Sequence, residues 1–521
     1  SGPGRCGGET LSPPCRLPPN IVGIGNHLRA RRPYCRARNG GSGMQDFFSS
    51  TGLRGGRFPF LWAALALAVF CCLWPRAAAT APVPALDFTL VRLGDESGQV
   101  VLVVGGIQGD EPGGFSAATL LSTHYTIRRG GLWVVPNLNF PSIIKRSRGL
   151  YGDMNRKFAR LDRGDPEYSV VRRIQDLIRH PKVVLVLNLH DGSGYYRPAH
   201  EDKLRNPARW GQSVIIDQER LPGVFMGDLV HEARQAAAAA NEGLLDPGHR
   251  LHVHNTRTAE GDREMEKSLS YYAVRQGKAA FGLEASKEFP VELRAYYHLC
   301  MVESLLRQAG VEFARGFELS PQGVRGALLE NLGVSFAGNR IFLPLEDARP
   351  TINYLPLPKE ASTTAVPSKP IMAVLPCEQN DGQYCVHYGN RMITLIRPEW
   401  REVDTSLGGL RVRVDGQDMD VPFGQVLDVR GELLVHPQQG VRVNAIGVDS
   451  GQADESGLTL RRKDFLPRFS VDRQGCIFRV EAYKGQRCSG MLLVRFVTDA
   501  PRQARNAPLP DRPGPESALG F

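Results

Sequence analysis

A glycine-rich stretch brings together two side chains that could bind a metal ion. Residues 105–114, with the sequence GGIQGDEPGG, follow the apolar run Val100–Val104, whose pattern predicts a buried strand. Glycines allow a tight turn, so the amide of Gln108 and the carboxylate of Glu111 can converge on one point. The spacing predicts two metal ligands, and the alternative is a strand-to-helix turn that binds nothing.

Further predicted strands also end in residues that are typical of hydrolytic sites. They deliver His190 after residues 183–189, Glu284 after 279–283, and Arg148, Asn155 and Arg156 in the basic segment that follows 131–136. Because sites in α/β sheets form beyond the carboxyl ends of the strands, we expect these groups to meet at one edge. Each of these residues taken alone has an ordinary structural explanation. Because burying several charges together without compensation is costly, their coincidence at one edge of the sheet favours a metal site.

The order of elements predicts one α/β domain followed by two small all-β modules. Strand and helix patterns alternate over residues 86–316, which predicts a mixed, mostly parallel sheet with helices on both faces. The predicted helices are 116–122, 168–179, 224–243 and 292–308. Short alternating segments predict sandwich-like or barrel-like β modules at 317–402 and 403–500, with 355–370 as a loop and 501–521 as a disordered tail.

The first 81 residues differ from the rest of the chain. Residues 1–43 have no hydrophobic period and are predicted to be a disordered leader or an artefact of start-site choice. Residues 44–81 have the three regions of a signal peptide, with arginines, an apolar run and small residues at 77–81. The apolar run is short for a membrane span. The sequence therefore predicts export to the periplasm without a stable membrane span after cleavage.

Charge and cysteine usage agree with export. The formal charge of +10 is concentrated in residues 1–81, which hold 10 of the 64 Lys and Arg and 2 of the 54 Asp and Glu. The remainder has 54 against 52, so no nucleic-acid partner is predicted. Cysteine spacing predicts two local disulfides of an oxidising compartment and one buried core thiol. The predicted pairs are Cys377 with Cys385 and Cys476 with Cys488, and the core thiol is Cys300.

The motifs G-G-I-Q-G-D-E-P-G-G, D-M-N-R-K-F, N-L-H-D-G and G-L-E-A-S, in this order, resemble those of zinc metallocarboxypeptidases of the M14 family. The chain is most similar to the cell-shape-determining peptidoglycan DL-carboxypeptidases of curved and helical bacteria. Those enzymes have glutamine in place of the first histidine ligand and carry two β modules. The resemblance covers residues 86–316 by motif and the remainder by layout.

The resemblance implies a role for each candidate residue. It implies that Gln108, Glu111 and His190 hold Zn²⁺ and that Glu284 is the catalytic glutamate. It implies that Asn155 and Arg156 bind the terminal carboxylate of the substrate. Arg148, with Arg146 as its alternative, would contact the scissile carbonyl. A carboxamide is a poorer zinc ligand than imidazole. We also expect that a carboxylate behind it cannot strengthen it as it strengthens a histidine, so that the metal is held weakly.

The resemblance and the predicted export together imply a periplasmic carboxypeptidase that affects cell shape. Its substrates would be peptidoglycan stem peptides, with tripeptide trimmed to dipeptide and diaminopimelate released, and cell-shape proteins are possible partners. Two alternatives stay open. One is a non-catalytic muropeptide-binding scaffold, and the other is a deacylase of the succinylglutamate desuccinylase or aspartoacylase type, which the signal peptide disfavours. His252 and His254 are predicted to be solvated surface residues.

Overall fold

The computed structural model describes residues 86–95, 97–378 and 382–497. The predicted leader, signal peptide and tail lie outside the described residues. Within the described ranges, no helix is long and apolar enough to cross a membrane.

A seven-stranded mixed sheet forms the centre of the first domain. Its strands, in spatial order, are β1 (Val91–Gly94), β4 (Gly131–Val135), β2 (Val100–Val104), β5 (Val183–Gly192), β10 (Ala279–Ser286), β8 (Ser213–Ile216) and β9 (His252–Asn255). The four central strands from β4 to β10 are parallel to one another, while β1 and β8 pair antiparallel with their inner neighbours. The central strands are buried on both faces, which explains their continuous apolar sequences.

Helices cover both faces of this sheet. They are α1 (Pro112–His124), α2 (Phe140–Ile144), α3 (Tyr168–Arg179), α4 (Leu229–Glu242), α5 (Leu269–Arg275) and α6 (Val291–Gln308). One apolar layer joins α1, α4 and α6 to the sheet, and a second layer joins α3 and α5 to the other face. The short strands β6 (Tyr195–Tyr196) and β7 (Arg205–Asn206) pair with each other, as do β3 (Tyr125–Arg129) and β11 (Glu312–Arg315). The predicted α/β architecture is confirmed.

The strands that carry the candidate residues extend beyond their predicted ends. β5 runs to Gly192 and β10 to Ser286, so His190 and Glu284 lie within strands rather than just after them. Helix α1 begins at Pro112, directly after Glu111, whereas the pattern predicts its start at residue 116. Helix α4 begins at Leu229, and the residues predicted to form its first turn lie outside it.

Helix α7 (Pro321–Leu329) leads into two β modules. The middle module contains β12 (Gly333–Phe336), β13 (Ile341–Pro344), β14 (Thr351–Leu357), α8 (Ala361–Thr364), β15 (Val366–Pro367), β16 (Met372–Pro376), β17 (Tyr384–Tyr388) and β18 (Arg391–Trp400). The prediction of a loop or insertion at 355–370 is wrong for residues 355–357 and 366–367, which lie in β14 and β15. The side chains of Leu355 and Leu357 are buried in the core of this module, and β14 therefore continues through Pro356.

The last module consists of two four-stranded sheets. Their strands are β19 (Gly409–Val414), β20 (Gln417–Pro422), β21 (Val426–Val429), β22 (Glu432–Val435), β23 (Arg442–Ala445), β24 (Thr459–Arg461), β25 (Ile477–Lys484) and β26 (Arg487–Phe496). The spatial orders are β20-β19-β22-β24 and β21-β26-β25-β23, and the apolar residues of the two sheets share one core.

One of the two predicted disulfides is present. Cys377 and Cys385 are bonded at the end of the β16–β17 hairpin. The prediction of a bond between Cys476 and Cys488 is wrong, because Cys476 precedes β25 while Cys488 pairs with Tyr483 at the other end of that strand. At the usual rise per residue they are about 20 Å apart, and a disulfide needs Cα atoms within about 7 Å. Cys300 is buried, as predicted.

The middle module packs against the first domain beside α2. Phe140 and Ile143 share an apolar cluster with Ile371 of the middle module. Asn137, at the end of β4, donates a hydrogen bond of 2.8 Å to the carbonyl of Pro370. The middle module therefore supports the segment that leads from α2 to Arg148.

Candidate active site

The turn after β2 is held against α2 by a close backbone approach. A Cβ atom at Gly109 would lie 2.1 Å from the backbone of Ser142, so only glycine fits there. The amide of Gly109 also donates to the carbonyl of Ser147 at 2.9 Å. This contact leaves the side chains of Gln108 and Glu111 buried, immediately before α1 begins at Pro112.

His190 and Glu284 lie side by side on one face of the sheet. They are partners in the parallel register of β5 and β10, and both are buried. His190 Nδ1 lies 2.9 Å from Glu111 Oε2. The sheet therefore brings His190, Glu111 and Glu284, from three separate segments, to one place.

Gln108 has a carboxylate behind it. Its amide Nε2 donates a 2.8 Å hydrogen bond to Asp153 Oδ1, which leaves the carboxamide oxygen as its atom for a metal. The structure thus places a carboxylate behind Gln108, while the expectation that it strengthens the amide less than it would a histidine stays a prediction. A carboxylate that accepts from the amide orients the group and makes its oxygen a better donor, as it does for a histidine.

The donor set fits a metal although it departs from the usual composition. No group of three or more His, Cys, Asp and Glu side chains suited to a metal is present in the described ranges, because the third donor here is an amide. An amide oxygen, a carboxylate and an imidazole are acceptable ligands of one divalent ion. Burial raises the pKa of Glu284 well above its usual range, and the charges of Glu111 and Asp191 raise it further. A bound cation would offset this repulsion.

Asp191 ties the strand of His190 to two helices. Its carboxylate accepts from the backbone amide of Gly113 at 2.8 Å and contacts Arg294 and His298 of α6. Burial alone would raise the pKa of Asp191, but the hydrogen bond with His298 and the charge of Arg294 outweigh it and lower the pKa. The sequence assigned no role to Asp191 or Asp153, although Asp191 belongs to the motif N-L-H-D-G and Asp153 begins the motif D-M-N-R-K-F.

The basic segment after α2 lies along the same site. Arg148 Nη1 is 3.6 Å from Glu111 Oε1, and Arg148 Nη2 is 2.9 Å from Asp153 Oδ2. Arg146 is exposed and has a positive φ of 51°, and no contact joins its side chain to the described metal-ligand candidates. Of the two arginines that the sequence left open, Arg148 is therefore the one beside the buried carboxylates.

Asn155 and Arg156 occupy a short 3₁₀ helix, Met154–Arg156, that begins after Asp153. Asn155 Nδ2 lies 3.4 Å from His190 Nε2, and its Oδ1 accepts from the amide of Leu269 at 2.9 Å. The Arg156 guanidinium is partly exposed and lies 3.6 Å from Glu264 Oε2. In this arrangement Asn155 contacts the imidazole, whereas Arg156 presents its guanidinium to the open side.

The row of residues that contains Glu284 continues to the edge of the sheet. Glu284 pairs with Ser213, and Ser213 pairs with His252. The prediction that His252 and His254 are solvated is wrong, because both lie on β9 and are half-buried. The ring of His254 stacks on Tyr196 with centroids 4.0 Å apart, and burial lowers its pKa to about 4.

Three family matches cover the described chain. Residues 71–329 match the catalytic domain described as a carboxypeptidase controlling helical cell shape, 330–402 match a β-barrel domain of the same carboxypeptidases, and 403–497 match a C-terminal domain of metallo-carboxypeptidase. The chain belongs to these cell-shape carboxypeptidases. The family is one of metalloenzymes, so a metal is implied. This assignment favours the hydrolase over the scaffold and the deacylase that the sequence left open.

Solved structures of one cell-shape carboxypeptidase are similar over most of the chain. Product-bound cell shape determinant protein Csd4 from Helicobacter pylori is 40% identical, with a TM-score of 0.72, and the match covers 79% of this chain and 100% of that one. Its tripeptide-bound form has a TM-score of 0.71 at the same identity and coverage. Its mDAP-bound form, described as a D,L-carboxypeptidase, is 39% identical over 78% of this chain and 100% of that one, with a TM-score of 0.72. No curated protein sequence matches the chain at a significant level.

Asp153→Asn is expected to weaken metal binding at the candidate site by about 10- to 100-fold, because the hydrogen bond from Gln108, a candidate ligand, loses its anionic acceptor. Equilibrium competition with a chromogenic zinc chelator measures this change. Arg148→Gln is the matched control, since it removes the ion pair with Asp153 but leaves the bond between Gln108 and Asp153 in place. An equal loss in both variants would contradict a specific role of Asp153.

Asp217, at the end of β8, is expected to make stability depend on pH. Burial raises the pKa of Asp217 to about 6, against a hydrogen bond of 2.6 Å from the Thr258 hydroxyl. Since the folded pKa exceeds the unfolded value, the stabilising contribution is complete below about pH 4 and is lost as pH rises through about 6. Between pH 4 and pH 8, the free energy of unfolding of Asp217→Asn should rise by about 2 to 3 kcal/mol relative to that of the wild type. Urea unfolding of both proteins across this range measures the difference, and parallel pH profiles would contradict the prediction.

Proposed function

We propose that this chain is a zinc-dependent carboxypeptidase that trims peptidoglycan stem peptides in the periplasm. The observation that carries the proposal is the convergence of Gln108, Glu111 and His190 beside Glu284, with Arg156 at the open side. The bound product, tripeptide and mDAP of the Helicobacter pylori relative support a substrate of this class. In this proposal a tripeptide stem loses its terminal diaminopimelate and leaves a dipeptide.

Gln108, Glu111 and His190 would hold the metal in this mechanism. When bound, zinc lowers the pKa of a water molecule towards about 7 and polarises a carbonyl group. The side chains of Gln108, Glu111 and His190 are buried, which restricts their movement, as a metal site requires. Asp153 and Asn155, which contact Gln108 and His190, set the orientation of two of them.

Glu284 would move the proton of the attacking water. Its Oε2 has no hydrogen-bond partner among the residues that the structure describes, so this atom is available to take up a proton. Burial and the neighbouring negative charges raise the pKa of Glu284, which makes its carboxylate a stronger base for taking a proton from water and returning it to the leaving amine.

Two arginines would bind the charges of the substrate. Arg148, about half exposed beside Glu111, would stabilise the negative charge that develops on the scissile carbonyl oxygen. The planar fork of Arg156 suits two parallel hydrogen bonds to a terminal carboxylate. Binding of that carboxylate would place the cut one bond inward and make the enzyme an exopeptidase.

Mass spectrometry of defined tripeptide, tetrapeptide and pentapeptide muropeptides tests this function. With the mature protein and zinc, we expect the tripeptide to yield a dipeptide and diaminopimelate, and a chelator should stop the reaction. Muropeptide binding without cleavage would indicate a scaffold. Cleavage that the chelator does not reduce would exclude a catalytic role of the metal. Fusion of residues 44–81 to a periplasm-dependent reporter tests the proposed location.

A further inference from the structure

An arginine-lined cavity lies apart from the candidate active site. It opens beside the pair β3–β11 and the end of α6, with a volume of about 480 Å³. Arg128 and Arg129 of β3, Arg307 of α6 and Arg315 of β11 contribute to its walls. On α6, Arg307 follows His298, which contacts Asp191, by nine residues, so the cavity is about 14 Å along that helix from the strand end that carries His190.

The positive charges in this cavity exceed the negative ones. Arg129 pairs with Glu312 at 2.9 Å, while Arg307 and Arg315 both lie 2.7 Å from the buried carboxylate of Glu303. Arg128 is exposed and forms no ion pair with any described residue. Four guanidinium groups therefore face two carboxylates, and a net charge of about +2 remains at one concave surface.

One of the four guanidinium groups has two nitrogen atoms without an aligned hydrogen bond among the described residues. Arg315 Nη1 is buried and has no partner within the described ranges, and Arg315 Nε approaches Glu303 without an aligned hydrogen bond. Buried donors are normally satisfied, because an unpaired one costs about 1 to 3 kcal/mol. An anion in the cavity could accept a bond from Nη1 after a small shift of the Arg315 side chain, because this atom is buried in the structure.

We propose that this cavity is a binding site for an oxyanion that carries two or more negative charges, such as a phosphate group. Guanidinium groups bind phosphate through parallel hydrogen bonds, and groups from three separate elements could surround one such anion. A concave surface with four arginines suits a single small group better than a membrane surface, for which lysines beside apolar residues are typical. The proposal does not depend on the proposed peptidase function.

Binding of inorganic phosphate to the full chain tests the proposal. We expect saturable binding by calorimetry at constant ionic strength, together with a rise in Tm. Arg128→Gln should weaken it about 5- to 10-fold, as expected for the loss of one charged hydrogen bond. Glu312→Gln should strengthen it by a similar factor because a competing carboxylate is removed. Arg275→Gln, which removes an exposed arginine on α5, is the matched control and should leave binding unchanged.

Several results would overturn the proposal. The first is the absence of saturable phosphate binding. The second is an equal loss of phosphate affinity in Arg275→Gln and Arg128→Gln. The third is a loss of phosphate affinity only in Arg156→Lys, which would place the anion in the candidate active site. Vesicles with anionic phospholipid provide a further arm. Binding to vesicles that phosphate does not displace would identify a membrane surface instead, whereas displacement by phosphate would support a pocket that recognises the phosphate group.

Discussion

Glu284→Gln is expected to lower kcat for tripeptide hydrolysis by about 10²- to 10⁴-fold while the zinc content stays unchanged. Glutamine has the shape of glutamate but cannot take up a proton from water or return it to the leaving amine. The position makes this effect specific, because Glu284 is buried opposite His190 and its Oε2 has no partner among the described residues. Steady-state kinetics measures kcat, and metal analysis measures the zinc content. Calorimetry measures whether product binding is retained.

Glu292→Gln is the matched control for this variant. Glu292 lies at the start of α6, where its carboxylate is 3.8 Å from Arg325 and outside the candidate site. Its substitution should change kcat by less than about twofold, since isolated ion pairs near the surface contribute little. A Glu284→Gln enzyme with normal kcat, or a comparable loss in both variants, would rule out Glu284 as the proton carrier.

Arg156→Lys is expected to lower kcat/KM by about 10- to 100-fold, mainly through KM. Lysine keeps the charge but loses the planar fork, and a bidentate carboxylate contact is worth more than a single one. The loss should be confined to peptides with an unmodified terminal carboxylate. Kinetics on matched peptides that end in a carboxylate or an amide measure this preference, which should be strong in the wild type and weak in the variant.

Two results would argue against this role of Arg156. One is an unchanged preference for the carboxylate in Arg156→Lys. The other is an equal effect of Arg163→Lys, which alters an exposed arginine of the next loop and should leave kcat/KM unchanged. Because Glu264 Oε2 lies 3.6 Å from Arg156, a Glu264→Gln enzyme offers a further check, in which the guanidinium loses a competing carboxylate and KM should fall.

Gln108 is the proposed ligand that separates this site from ordinary metallocarboxypeptidases. The structure changes what can be said of it, because the bond to Asp153 gives the amide a supporting carboxylate. Asp153 also pairs with Arg148, so one carboxylate connects the proposed metal ligand to the group proposed for the scissile carbonyl. In the proposed mechanism, metal binding and substrate polarisation would be coupled through the side chain of Asp153.

The sequence alone determined the architecture and the set of candidate residues. Apolar runs such as Val100–Val104 specify buried strands directly, since each residue of a doubly covered strand is apolar. Few polar residues follow such apolar runs directly, and Gln108, His190 and Glu284 could therefore be proposed without any knowledge of tertiary contacts.

Only the tertiary structure decided which polar groups support one another. Asp153 lies 45 residues from Gln108, and Asp191 contacts helix residues more than 100 positions away, so no local pattern indicates either contact. For the same reason the stacking of His254 on Tyr196 and the separation of Cys476 from Cys488 contradicted predictions based on local sequence. Burial and strand register are properties of the whole fold, whereas periodicity and spacing report only which residues are available to it.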